Sequence, residues 1–360
     1  MVTATKKPVV PAVDRLLDLI IQRQLLGTRV WQGIALDQVR QFDDQFVREL
    51  IGLLNARLPN VPDYGRDTTP ANSARLESLF QRTDSLAAEV VRDMRGAAEA
   101  NLLAVAKAES RWAMTALAEV LPESVQLKAV GANYLRSVTV ARPFQGALLK
   151  DWYQGLEQTT RNVVRREIQQ GLQRGQSVPN IVRRLTGTKA NGRRDGALKT
   201  PRRHVTSMVR TAANHYSNHA REAVYEANAD LIKGYRFVAT LDFRTSKTCA
   251  GLDGQVFPLD ATYPRPPMHW GCRSTTVPVP RTWREMGFAI DELPVSTRES
   301  LNGQVPEDLN FSEWFKGQDP RMQKEYLGPA RFALYSQGLE IKDMLNADWK
   351  PLPVSALDVA

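Results

Sequence analysis

Cys249, His269 and Cys272 are the residues of this chain best equipped for chemistry: two thiols and an imidazole in one short segment, with His269-x-x-Cys272 at the close spacing of half a zinc site. Thiolate sulfur and imidazole nitrogen are the usual donors to zinc, and a closed structural site takes four of them in a tetrahedron. The residue three before Cys249, where another sulfur would complete the set, is Ser246, a poor ligand. Three good donors leave several arrangements open. Asp242, Asp253 or a water could be the fourth ligand of a structural site. An open fourth position would suit a catalytic zinc, although no nearby Glu or His is clearly placed as its base. Cys249 and Cys272 could also pair as a disulfide. The short ligand set favours a metal-free knot in which Asp253-Gly254 forms a turn and His269 bonds a backbone carbonyl. No cofactor is therefore expected, with zinc on Cys249, His269 and Cys272 as the alternative.

Two further groups carry suggestive residue types. His215 and His219 stand four apart on a helical stretch, the spacing that places two imidazoles on one metal in HExxH sites. The residues between them are Tyr, Ser and Asn, so the glutamate base is missing, and ordinary surface or interface histidines are expected. Charge supplies the second group. The chain carries +9 overall, yet between Lys150 and Arg210 fourteen basic residues face four acidic ones, a net of +10. Such a concentration points to a polyanion or an acidic protein surface. Arg161, Arg165, Arg166, Arg183, Arg184, Lys189, Arg193, Arg194, Arg202 and Arg203 are the candidates for contact with DNA or an acidic partner. Contact of this kind neutralises phosphates without reading bases. No helix-turn-helix or RNA-binding signature accompanies it.

The elements that must position these residues are mostly helical. The fold expected is α+β and predominantly α-helical: long N-terminal helices, then a small mixed module with a short antiparallel sheet. Residues 1–12 read as a mobile arm. Residues 13–147 form a helical region with Leu16, Leu17, Leu19, Ile20 and Ile21 on one stripe and Gly27 as a stop. A second helix carries Phe42, Phe46, Leu50 and Leu54, and a long Ala-rich one runs from Asn72 to Leu121 with room for a bend at Gly96. The basic region, 148–230, holds helices over 148–172, 178–186 (Ser177 as N-cap) and 203–229, separated by a long exposed loop at 186–203. Residues 231–280 are the compact Cys/His module, with strands at 235–241, 255–257 and 273–277. Residues 281–360 return to helices (293–301, 311–316, 320–339) and end in an irregular tail. The seven tryptophans, Trp31, Trp112, Trp152, Trp270, Trp283, Trp314 and Trp349, are scattered, as core or interface residues are.

With 360 residues, 42% of them hydrophobic, the chain can bury a substantial core, and two cysteines cannot make a disulfide framework. No run of about 18 uncharged apolar residues occurs and the N-terminus has no apolar signal region, so a soluble protein, cytoplasmic when made and with no membrane partner, is expected.

Read together, Asp242-x-Arg244-Thr245, Cys249, Leu252-Asp253-Gly254, Pro266-Pro267, His269 and Cys272-Arg273 resemble the signature of the phage Mu F-like family, also described as head-morphogenesis or minor head proteins. The resemblance extends over roughly residues 150–340. Many members have Cys where this chain has Ser246, and Glu where it has Ala212. The resemblance implies a non-enzymatic structural protein of a tailed phage. It would be made in the host cytoplasm and then sit inside the head, near the portal vertex, serving assembly, genome retention or DNA delivery. Its implied partners are the portal protein, capsid or scaffold proteins, packaged double-stranded DNA, and further copies of itself through residues 72–121. Asp242, Cys249, Asp253, Gly254, His269, Cys272 and Arg273 would be its structural motif. The competing readings are a zinc-dependent hydrolase or toxin-like transferase, and a general non-specific DNA-binding protein.

Overall fold

The computed structural model describes residues 12–58, 70–282, 284–287, 297–300, 303–306 and 309–357. The arm expected at residues 1–12 lies almost wholly outside them, as do Trp283 and residues 293–296 of an expected helix. The chain is α+β and predominantly helical, with a small antiparallel sheet. Two compact units are interleaved along it: one draws on residues up to Arg29, Val105–Val138 and Asn214 onward, the other on Val30–Ala104 and Thr139–Ala213.

Helix α1 (Ala12–Gln41) runs through Gly27 instead of stopping there. One interior glycine costs a helix only about 1 kcal/mol relative to alanine, and buried Trp31 and Ala35 continue the apolar stripe beyond it. A π-helical turn (Phe42–Val47) leads into α2 (Arg48–Arg57), with Phe42, Phe46, Leu50 and Leu54 buried at steps of three or four. Helix α3 (Pro70–Val120) is unbroken at Gly96. Its stripe of Leu79, Val90, Met94, Ala98, Leu102, Ala106, Ala113 and Leu117 is buried within the chain. Ala100, Ala104 and Ala118 lie outside that stripe and are exposed. Helix α4 (Ala132–Ala141) follows.

In the second unit, α5 (Leu149–Gln173) and α6 (Val178–Thr186) bury Tyr153, Leu156, Val164, Ile168, Ile181 and Leu185. Ser177 occupies the N-cap position of α6 but its side chain makes no capping bond. Helix α7 (Lys199–Ala227) carries every residue expected on its inner side, from Val205 to Val224, in the buried state. It starts four residues earlier than the sequence suggests, so the segment before it is not a long exposed loop. Leu198 is fully buried, and the amides of Ala197 and Leu198 donate to the carbonyls of Arg184 and Leu185.

The sheet of the first unit has β1 (Ile232–Val238) in the middle, between β2 (Val256–Pro258) and β3 (Thr275–Pro280), both antiparallel to it. Tyr235 stands opposite Phe257 on one side and Pro278 on the other. Helix α8 (Lys247–Leu252) lies between β1 and β2 in the chain. Leu16, Leu17 and Ile20 of α1, Leu117 of α3, Val224 and Tyr225 of α7, and Ile232 and Tyr235 of β1 form one core beneath the sheet. A second core joins Leu241 and Ala250 to Phe311, Trp314, Phe315, Ile341 and Met344 from α9 (Phe311–Lys316) and the segment near residue 341.

Two expectations for the C-terminal region are corrected. Residues 297–300 are not helical: β4 (Thr297–Ser300) pairs antiparallel with β5 (Gly303–Pro306), with Ser300 opposite Gly303. The helix expected over 320–339 is two, α10 (Pro320–Leu327) and α11 (Pro329–Ser336). Gly328 has φ +81° and Pro329 begins a new first turn, where its missing N–H costs nothing. Trp31 and Trp314 are core residues, whereas Trp270 is exposed beside His269.

Candidate functional site

The chain brings the two cysteines and the histidine to one point. Cys249 lies in α8, whose N-cap is Ser246: the Ser246 Oγ accepts the Cys249 amide at 3.2 Å. His269 and Cys272 come from the turn before β3, where the Cys272 amide donates to the His269 carbonyl. Cys249 Sγ is 3.8 Å from Cys272 Sγ and 3.5 Å from His269 Nε2. Both thiols are buried and unpaired by any disulfide. Among the described residues, these three are the one group of Cys, His, Asp and Glu donors close enough to share an ion.

Electrostatics in the cluster is uneven. The contact with Cys272, together with burial, pushes the Cys249 thiol up. The same contact, with His269 beside it, holds Cys272 well below the usual thiol range against its own burial. Cys272 raises His269 in return. His269 Nδ1 lies 3.0 Å from the Trp270 carbonyl, a contact of the type expected for the knot.

The two aspartates considered as a fourth ligand are committed elsewhere. Asp253 accepts the Ala239 amide at 2.7 Å on one oxygen and the Phe311 amide at 2.8 Å on the other, clamping the end of β1 to the start of α9. Asp242 receives both terminal nitrogens of Arg273 at 2.6 Å, and the Arg244 amide as well. Burial raises the Asp242 carboxyl, but the Arg273 pair and Arg244 outweigh it and hold the group below its usual range. Gly254 adopts φ +82°, in keeping with the turn expected at Asp253-Gly254. Asp242, Asp253, Gly254 and Arg273 are thus the frame around the cluster.

A buried polar network behind this frame was not legible in the sequence. From Thr211 to Tyr225 helix α7 is buried on every side. Asn214 donates to the Cys272 carbonyl at 2.9 Å and accepts from Gln24 of α1. Asn218 accepts from Thr275 of β3 at 2.7 Å. Arg221, 1% exposed, donates to Gln24 and Thr275 and pairs with Glu109 of α3 at 3.4 Å. Polar residues at 214, 218, 221 and 222 follow helical spacing, which in sequence looks the same as a solvated face. His215 and His219 are buried too, with ring centroids 4.3 Å apart, which corrects their reading as surface residues. His219 faces Glu222 at 3.3 Å.

The basic residues divide into two sets. Arg165 pairs with Asp84 at 2.6 Å and covers the Phe80 ring; Arg184 pairs with Glu167 at 2.6 Å and Arg202 with Asp43 at 2.7 Å. Arg161 pairs with Glu157 and Arg166 with Glu167. Of these, the pairs of Arg165, Arg184 and Arg202 tie separate helical elements of the second unit to one another. Arg183, Lys189, Arg194 and Arg203 are exposed, Arg193 is half-buried, and none of the five forms an ion pair among the described residues. Lys189, Arg193 and Arg194 ride on a turn organised by Asp195, which accepts the Thr188 amide and hydroxyl at 2.8 Å each and the Asn191 side chain at 3.1 Å. Those bonds hold the Asp195 carboxyl down at about 2. No helix among the described residues is long and apolar enough to cross a membrane.

Residues 162–277 match the family described as Phage Mu protein F like protein. The matched segment contains most of the candidate basic residues, α7, β1, β2, the start of β3 and the Cys/His cluster. No curated protein and no solved structure matches the chain.

Proposed function

We propose, from the Mu F-like character of residues 162–277, that this chain is a non-enzymatic minor head protein of a tailed phage. In this reading it works inside the procapsid near the portal vertex, in head assembly, genome retention or DNA delivery, and meets packaged double-stranded DNA without reading its sequence. The observation that carries the DNA contact is the division of the basic residues. Five of the ten candidate basic residues are spent on ion pairs within the chain, while Arg183, Lys189, Arg193, Arg194 and Arg203 keep their charge unspent. The turn around Asp195 presents three of them on hydrogen-bonded backbone, so little chain entropy is lost when phosphates dock.

Counterion release gives this reading a number. Five phosphate contacts correspond to a slope of about −4.5 for log K against log salt, from about −0.9 per contact. Replacing Lys189, Arg193 and Arg194 together by alanine should make that slope shallower by about 3 while leaving the fold intact. Duplex DNA binding measured across a salt series checks both. A slope unchanged in the triple variant would remove this surface from DNA contact. Binding to an acidic portal or scaffold protein, but not to DNA, would reassign the surface to a protein partner. Absence of the chain from both procapsids and virions would defeat the head-protein reading itself.

A further inference from the structure

We infer that Cys249, His269 and Cys272 hold a single zinc ion, with a water completing the tetrahedron next to Ser246. This inference stands independently of the head-assembly reading. Zinc sits about 2.3 Å from thiolate sulfur and about 2.0–2.1 Å from imidazole nitrogen, so a tetrahedral site has edges of about 3.8 Å between two sulfurs and about 3.5 Å between sulfur and nitrogen. The chain shows 3.8 Å from Cys249 Sγ to Cys272 Sγ and 3.5 Å from Cys249 Sγ to His269 Nε2. All three donor atoms lie within 4.8 Å of one another. Two edges of the polyhedron, built by residues from two separate segments, therefore already have tetrahedral lengths.

The histidine is prepared for the role. With its Nδ1–H donated to the Trp270 carbonyl, the neutral ring turns the Nε2 lone pair toward the sulfurs, and this is the carbonyl–histidine arrangement that orients zinc ligands. Charge points the same way. Two buried thiolates alone would be strongly penalised, whereas two thiolates, a neutral imidazole and a divalent cation sum to zero. The Asp242–Arg273 pair beside them is itself balanced, and both oxygens of Asp253 are occupied, so no carboxylate competes for the ion. Thr245, Ser246, Cys249 and His269 line a small cleft, which gives the fourth position access to water. Ser246 already accepts the Cys249 amide, which suits a serine that shapes the site without ligating. The site closes the loop between α8 and β3 and would act as a structural clamp; no catalytic base is needed for it.

The test uses the full-length reduced protein, freed of metal and titrated with Co²⁺ and then Zn²⁺. One equivalent of Co²⁺ should give a thiolate-to-metal charge-transfer band and the d–d absorption of a four-coordinate ion, both displaced by one equivalent of Zn²⁺. Ser246→Cys supplies the missing sulfur and should tighten Zn²⁺ binding at least about tenfold, and Cys272→Ser should weaken it by about a hundredfold or more. Ser246→Cys is a gain-of-binding readout, so the inference does not depend on a variant that loses its fold. Absence of the charge-transfer band in both the wild type and Ser246→Cys would overturn the site. So would a band that survives in the Cys249→Ser, Cys272→Ser double variant, or a Cys249–Cys272 disulfide whose reduction restores no metal uptake.

Discussion

The carboxylate of Asp253 receives two backbone amides, from Ala239 and from Phe311, and so joins the end of β1 to the first turn of α9. A buried carboxylate held by two N–H groups is a strong, charge-assisted arrangement. In Asp253→Asn the amide nitrogen must face one of those N–H groups, leaving a buried donor without an acceptor. The expected cost is about 2–3 kcal/mol, read as a lower urea midpoint at unchanged slope. A change under about 0.5 kcal/mol would mean that the clamp is redundant with the aromatic packing around Phe311. At this scale the sequence was informative about identity and poor about role. Asp242, Asp253, Gly254 and Arg273 could be nominated from the resemblance to the Mu F-like signature, and Asp253-Gly254 could be read as a turn. That Asp253 serves Phe311, 58 residues onward, could not be read, because nothing local in either segment announces the other. The buried Arg221–Glu109 pair was invisible for the same reason: an arginine and a glutamate at helical spacing read as solvated until the surrounding elements are placed.

Helices and strands were legible where one face is apolar and the period is long, as in α5, α6 and α7. Failures came at short elements and at breaks set by a single residue. Gly27 did not end α1, since the buried stripe outweighed one glycine, whereas Gly328 with Pro329 did divide α10 from α11. The turn between α6 and α7 was read as an open loop because its glycines and charges look solvent-bound; its order comes from Asp195 and from packing too tight for a side chain. A Cβ on Gly196 would stand 2.2 Å from the Gly187 nitrogen. Asp195→Ala removes the acceptor shared by Thr188 and Asn191 and should free the turn while leaving α6 and α7 folded. Limited trypsin digestion should then cut after Lys189, Arg193 or Arg194 at least about five times faster than in the wild type, as expected when local opening becomes easier. Equal cutting rates would show that the Gly187–Gly196 packing alone holds it. Because the Asp195 carboxyl sits at about 2, its hydrogen bonds stabilise the turn above the ordinary aspartate range and are lost only as pH falls through that value.

The compact Cys/His module read in the sequence at 231–280 packs against side chains from far along the chain. Leu16, Leu17 and Ile20 from α1 and Leu117 from α3 pack with Val224, Ile232 and Tyr235 beneath the sheet, and Phe311 and Ile341 cover its other core. A fragment spanning residues 231–280 alone should therefore be unfolded by amide dispersion and far-ultraviolet circular dichroism, with or without zinc. A cooperative melt from that fragment would show that the sheet and its turn suffice. The interleaving also sets an order of events during synthesis. Domains ordinarily fold as they leave the ribosome, N-terminal first. Here the apolar stripe at the start of α1 emerges more than two hundred residues before the strand that it packs beneath. The first unit can close only once α7 and the sheet have emerged, so until then Leu16, Leu17 and Ile20 have only the end of α3 to pack against and stay partly exposed to whatever in the cell binds unfinished proteins.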